Sequence, residues 1–473
     1  MAIFLWFPID LRNGMKFSPS SVVWAACLVA GCATYRPEPL DRSAVDAALK
    51  GPPIESVKVE AARIRHPLLA PVVIDGSNGY SPDEIAVMAV LLSRDLRAMR
   101  DQLEVADAQV LQAGILPNPQ LGYTLDRPHG TYNPPVVNGA SLGLSWDVTS
   151  LLTHRDAVAA AKAQSKSLNL SVAWAEWQTA QDARLRAFRI LSLEERLPLA
   201  RETESQLADV ASAMQKAVGS GQKTGVDLTA ATDAWTQAQN ARFDLEKQLT
   251  SERAALDLEL GQPEGAVVRL RTAEAFPKLS SDAAAAGSLL QGLEERRLDL
   301  VALRYGYDSQ EASLRAAVLA QFPKIGLNIN RANDTTPIST RGAGVTIDLP
   351  IFDRNQGQVA IGRATRQQLF DEYVARVAEA RSQVGTILAN LAIIRSQSSA
   401  VDASISDLQR VADACEAALR TGDSDILSCS AARAALAGRE MERSRIRQEM
   451  LELGVALEIA TGRALLNQYP THS

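Results

Sequence analysis

Thiols and paired carboxylates are the side chains in this 473-residue sequence with chemistry to offer, and their spacing narrows it sharply. The four cysteines are Cys27, Cys32, Cys415 and Cys429. No two form a Cys-x-x-Cys pair, so neither a zinc knuckle nor a thioredoxin-type site is expected. The four histidines, His66, His129, His154 and His472, show no metal-ligand spacing. No P-loop, nucleophile elbow or His-Glu-x-x-His motif occurs, and no carboxylates cluster in a catalytic pattern. The expectation is a protein that is not an enzyme and holds no cofactor or metal. Cys415 and Cys429 lie equally far from Gly422, so a reversal there would bring them face to face. Their expected state is two small, packed, free thiols; a disulfide, which an oxidising compartment would permit, is the alternative. Asp423 and Asp425 sit beside the same glycine. They read first as capping carboxylates. In several copies around an axis they would instead form a ring that attracts cations and could hold one.

The elements that must position these residues are long. Net charge is −6, with no basic stripe of the kind a nucleic-acid surface needs. Ser81-Pro82-Asp83-Glu84 is a helix start with a capping serine, proline at the first position and acids in the first turn. A helix is expected from there to Leu116, stopped by Pro117-Asn118-Pro119. Apolar residues then alternate at Leu121, Tyr123 and Leu125, and again at Leu142, Leu144 and Trp146. That period of two marks strands with one apolar face. A helical stretch from Leu151 to Val218 follows, with Pro198 as its candidate kink. At 1.5 Å per residue it would reach on the order of 100 Å, more than a compact domain can hold. Gly219-Ser220-Gly221 ends it, and a return helix runs from Val226 to Leu260. Within it Ala231, Ala234, Ala238, Ala241 and Leu245 form a heptad seam of small residues.

The order then repeats. A helix is expected from Ala283 to Gln321, with Phe322-Pro323 in the place of Leu116-Pro117. Lys324 to Ile329 alternates like the first strand. Gly342 to Pro350 matches Gly139 to Asp147, Gly221 pairs with Gly422, and Gly261 with Gly462. The chain divides accordingly. A first repeat spans 81–262, with strands near 120–127 and 140–148 and a tip at 219–225. A linker covers 263–282. A second repeat spans 283–465, with strands near 324–331 and 342–350 and a tip at 421–425. Residues 466–473 form a tail. Trp174, Trp177, Leu185 and Phe188 make a partial helical stripe suited to packing.

The N-terminus resembles a bacterial lipoprotein signal. Met15-Lys16-Phe17 precedes the apolar run Val22 to Ala30, which is too short for a permanent span. The run ends in Leu28-Val29-Ala30-Gly31-Cys32, similar to a lipobox. The resemblance implies cleavage after residue 31 and acylation of Cys32, with Met15 as the better start. Ala33, in place of aspartate, implies sorting to the outer membrane. Residues 32–80, rich in proline, are expected to be an extended tether between the lipid and the body.

Strands of about ten residues with one apolar face suit an outer membrane, but four cannot close a barrel in one chain. Strand pair, long helix, hairpin and return helix, duplicated behind a lipobox, resemble the TolC family of outer-membrane efflux ducts. The resemblance implies a mainly α fold with a small β part. Three chains would form a twelve-stranded barrel continued by a periplasmic helical barrel. It also implies a homotrimer that meets a periplasmic adaptor and an inner-membrane transporter, embedded in outer-membrane lipid, with no nucleic-acid partner. Gly221, Thr224 and Asp227 match the family's tip motif; Gly422 and Asp425 occupy the second tip, where the motif weakens. The implied function is passive conduction in a tripartite exporter. A duct for type I protein secretion shares the fold, and a structural coiled-coil lipoprotein is the reading from another class.

Overall fold

A serine, a proline and a glutamate start the helix that opens at Pro82. Ser81 Oγ accepts from the Glu84 N–H at 3.2 Å, and Glu84 Oε2 accepts from the Ser81 N–H at 2.6 Å. This capping box satisfies two N–H groups that a helix start leaves free. The structure is a computed structural model describing residues 35–130, 136–262, 268–271, 277, 286–336, 338–421 and 426–466. Contact density divides the chain into residues 1–50, which carry helix α1 (Arg42–Leu49), and a unit from Gly51 onward.

The larger unit runs α2 (Ile54–Ala61), α3 (Pro82–Leu92), α4 (Arg94–Ala113), β1 (Gln120–Asp126), β2 (Gly139–Asp147), α5 (Ser150–Gly219) and α6 (Gly225–Glu259). It continues with α7 (Ala286–Leu290), α8 (Leu293–Arg296), α9 (Leu298–Leu319), β3 (Lys324–Asn333), β4 (Ser339–Asp348), α10 (Gln356–Thr421) and α11 (Ile426–Thr461). The fold is mainly helical with a small antiparallel sheet, as the patterning predicts. Helix α5 has 70 residues and α10 has 66, and Pro198 lies inside α5 without ending it. At Gly221, φ of +72° gives α5 its left-handed exit. Gln222 N–H reaches Ala217 O at 2.9 Å and Gly221 N–H reaches Val218 O at 3.0 Å, the paired bonds of a Schellman end.

Three expectations are corrected. The helix expected over 81–116 is two helices, because Ser93 leaves helical geometry (ψ 124°) and caps the second through the Leu96 N–H. The helix expected from Ala283 is three pieces, broken at Gly292, which is left-handed, and at Arg297, which is extended. Residues 32–80 are not an extended tether throughout. Pro53 starts α2, and Val57, Ala61 and Ile74 join a core with Ile85, Met88, Ile190 and Leu256. Pro53 stands at a helix start rather than in extended chain, and Val57, Ala61 and Ile74 are buried, while Ile54, Val59 and Val73 stay exposed. Tyr80 adds a bridge to Leu270 through two backbone bonds of 2.8 Å with Arg269 and Arg271.

The two repeats meet along α5 and α11, which share a polar ladder. Arg189 pairs with Glu452 at 2.8 Å, Ser192 with Ser444 at 3.2 Å, Arg196 with Gln448 at 2.8 Å and Arg447 with Glu195 at 3.1 Å. Trp174 and Trp177 pack with Leu298, and Phe188 with Leu451 and Val455. The aromatic stripe is thus packing surface.

Candidate functional site

Sheet order is β1-β2-β3-β4, all antiparallel, so β1 and β4 are its edges. Register puts side chains of one kind on each face. Leu121 pairs with Leu144, and Leu144 with Ile329; Trp146 pairs with Leu327, and Leu327 with Val345; Ile325 pairs with Ile347. All lie on one face. Leu121 is 71% and Ile329 64% exposed, values no aqueous core face would show. The other face carries Thr124, Ser141, Ser145, Asn328, Asn330 and Thr346 among glycines. A Cβ at Gly344 would fall 2.6 Å from Asn328 Oδ1, so glycine there lets the amide lie across the neighbouring strand. An apolar face without a partner and a polar face without a core is the pattern of a strand set between lipid and water.

The ends of the sheet are tied to the helices. Trp146 Nε1 donates to Pro117 O at 2.8 Å. Asp147 Oδ1 accepts from the Thr149 N–H at 2.9 Å where the chain enters α5.

At mid-level a buried cation joins three segments. Arg184 contacts Asp83 at 2.8 Å and Glu458 at 2.9 Å. Glu458 is fully buried and also accepts from the Leu465 and Leu466 N–H groups, each at 2.6 Å. Burial pushes its carboxyl up; Arg184 and the two amides pull it back. Glu259 is pushed up to about 7, by burial first, with Arg186 at 3.1 Å opposing. Sequence reasoning missed this junction, since its members stand hundreds of residues apart and no local motif marks them.

At the first tip, Thr224 caps α6 in a second capping box. Its Oγ1 accepts from the Asp227 N–H at 3.3 Å, while Asp227 Oδ2 accepts from the Thr224 N–H at 2.9 Å and hydroxyl at 2.8 Å. These bonds hold the Asp227 carboxyl below its usual range. Thr224 and Asp227 are therefore brought together just after the turn at Gly221, with Val226 beside them 78% exposed. At the second tip, Gly422, Asp423 and Asp425 lie outside the described residues, as does Cys32. Cys415 and Cys429 correct the expectation of free thiols: they form a disulfide, with Cα atoms 5.4 Å apart. Antiparallel helices leave each tip, and residues equidistant from the reversal come within bonding reach.

The family model described as outer membrane efflux protein matches residues 86–262 and 289–463. The chain belongs to the outer membrane efflux protein family. Both matched segments contain one strand pair and one long hairpin, so the family unit is the duplicated unit. Efflux family membership places the chain at the outer membrane, as a transport protein. The cobalt-zinc-cadmium resistance protein CzcC of Cupriavidus metallidurans is 26% identical over 285 residues, which is 59% of this chain and 65% of CzcC. The match thus spans slightly under two thirds of that relative. Among solved structures, a membrane protein from Pseudomonas aeruginosa superposes with a TM-score of 0.68 at 21% identity, covering 83% of this chain and 93% of that one. CusC superposes with a TM-score of 0.64 at 19% identity, covering 85% and 98%. At these identities the likeness is one of fold.

Proposed function

We propose that three copies of this chain close into one outer-membrane duct that conducts cargo passively for a tripartite exporter. One observation carries the reading: a sheet with an exposed apolar face, a polar face and two edges that carry no further strand among the described residues. In lipid such edges must be paired. Pairing β4 of one copy with β1 of the next closes the ring. Two copies would give eight strands, whose interior side chains fill; three leave a passage along the Ser, Thr, Asn and Gly face. The helices then continue the passage into the periplasm. Exposed apolar residues on α10 (Ile361, Phe370, Val374, Ile393) suit contacts with neighbouring copies.

Other parts of the reading rest on residues rather than on the sheet. Cys32 is proposed as the acylated anchor after loss of residues 1–31. The tips, with Gly221, Thr224 and Asp227 at the first and Gly422 and Asp425 at the second, are proposed to meet the adaptor and the inner-membrane pump. Asp423 and Asp425 are proposed to set cation preference at the entrance. Since CzcC is named for cobalt, zinc and cadmium resistance, sensitivity of a deletion strain to those ions is the first cargo test. The decisive experiment is purification from outer membranes in detergent, followed by planar-bilayer recording. A trimer with single-channel conductance is expected; a monomer absent from outer-membrane fractions overturns the reading.

A further inference from the structure

One pair of residues breaks the apolar face of the sheet. Arg331 on β3 and Arg341 on β4 are direct cross-strand partners. They share the face of Ile325, Leu327 and Ile329 on β3 and of Ala343, Val345 and Ile347 on β4. Like charges placed opposite each other in a ladder are destabilising. Neither guanidinium is offset by an ion pair or side-chain hydrogen bond among the described residues. Arg331 is half-buried and Arg341 exposed.

The surroundings say what could lie between them. On the β2 side, Arg331 is beside Leu142, and Leu142 beside Tyr123. The same row is thus apolar on β1 and β2 and cationic on β3 and β4. One row closer to the loops, Asn333 Oδ1 accepts from Ser339 Oγ at 2.7 Å. The pair therefore sits where the outward face of β3 and β4 changes from apolar to polar. That change lies at the loop end of the sheet, opposite the helices. If the apolar face meets lipid and the helices lie in the periplasm, this level is the outer leaflet's headgroup zone. This step rests on the duct reading above.

The geometry points to a lipid-phosphate site: Arg331 and Arg341 jointly hold the phosphate monoester of an outer-leaflet lipid, whose acyl chains lie along the neighbouring apolar rows. Guanidinium groups match phosphate with parallel N–H donors. An anion between the two cations removes the repulsion that the bare pair carries. The apolar wall of Leu142, Tyr123 and Ile329 supplies what a free anion could not use. The site faces outward and takes no part in conduction.

Native mass spectrometry of the detergent-purified, full-length trimer tests this with three probes: diphosphorylated lipid A, the same lipid A stripped of phosphate, and inorganic phosphate. Wild-type protein is expected to retain the phosphorylated form, one per copy, about fivefold or more over the stripped form. Arg331→Gln with Arg341→Gln is expected to abolish that preference. Arg331→Lys with Arg341→Lys, which keeps charge but loses the forked donors, is expected to fall between. The wild-type comparison needs no variant to fold. Equal retention of the two lipids by wild-type protein overturns the site, as does a glutamine variant with undiminished preference. Displacement of lipid A by millimolar inorganic phosphate overturns the lipid as its occupant. Conductance of the same preparation separates the two claims. A conducting trimer that does not discriminate sinks the lipid site alone, whereas wild-type protein that never conducts sinks the duct and the site with it.

Discussion

The two hairpin tips descend from one unit but are held together differently. Near the first tip, Val210, Ala211, Met214 and Ala231 are buried together, flanked by Val218, Leu228 and Trp235. The corresponding end of the second hairpin has Cys415 where the first has Met214, and Cys429 where the first has Leu228. Its apolar cluster, built on Ile394, Val401, Ile405 and Ile446, reaches Leu436 and goes no further among the described residues. Val411, the counterpart of buried Val210, is 53% exposed. One tip is closed by dispersion and water exclusion, the other by a covalent bond. A bond holds two helices together without needing an apolar ring around them. The second tip is thereby free to present different residues.

The comparison breaks most visibly at the bridge. Replacing Cys415→Ser with Cys429→Ser, or reducing the bond, should cost about 3 kcal/mol, the value for closing a loop of roughly 15 residues. Hydrogen exchange over 408–436 should quicken by two orders of magnitude, while 207–235 stays as it was. Equal exchange in the two forms would mean that the bridge is redundant with packing. Met214→Ala probes the other tip. Met214 is 4% exposed, but its cluster is small and close to solvent. A loss of about 2 kcal/mol is expected, at the low end for truncating a buried methionine. The change should be confined to 207–235. If it spreads along α5 towards Pro198, the tip is not an independent unit.

How far these differences could be read in advance depended on what each feature needs. The turn at Gly221 was legible, because only a residue at ease with positive φ closes a Schellman end. The strand faces were legible from period-two alternation at Leu121, Tyr123 and Leu125. The break at Ser93 was not, because its serine, an exposed helical residue in most contexts, acts here as a cap between two helices. The burial of Val57, Ala61 and Ile74 was hidden by the prolines around them, which read as extended chain. The disulfide was half legible: symmetry about Gly422 gave the pairing, while residue types alone could not decide between contact and bond. The Arg184, Asp83 and Glu458 junction left no trace, since it depends on tertiary pairing across both repeats.

The smallest effect sharpens the comparison at the first tip. Thr224→Ala removes the cap oxygen that the Asp227 N–H uses and should cost about 1 kcal/mol. The loss should appear as faster exchange over 220–230 alone, because the Met214 cluster still closes the hairpin above it. Asp227, being exposed, contributes through pH. The Thr224 N–H holds its carboxyl below the usual range, so its contribution is present above the unfolded-state pKa, near roughly 4. That contribution fades as pH falls through the lower, folded-state value. Exchange of α6's first turn, corrected for the intrinsic effect of pH, should therefore quicken below about pH 4 in wild-type protein. In Asp227→Asn the same correction should leave a flat profile. A pH response that persists in the asparagine variant would assign it to another group and leave the first tip resting on its apolar cluster alone.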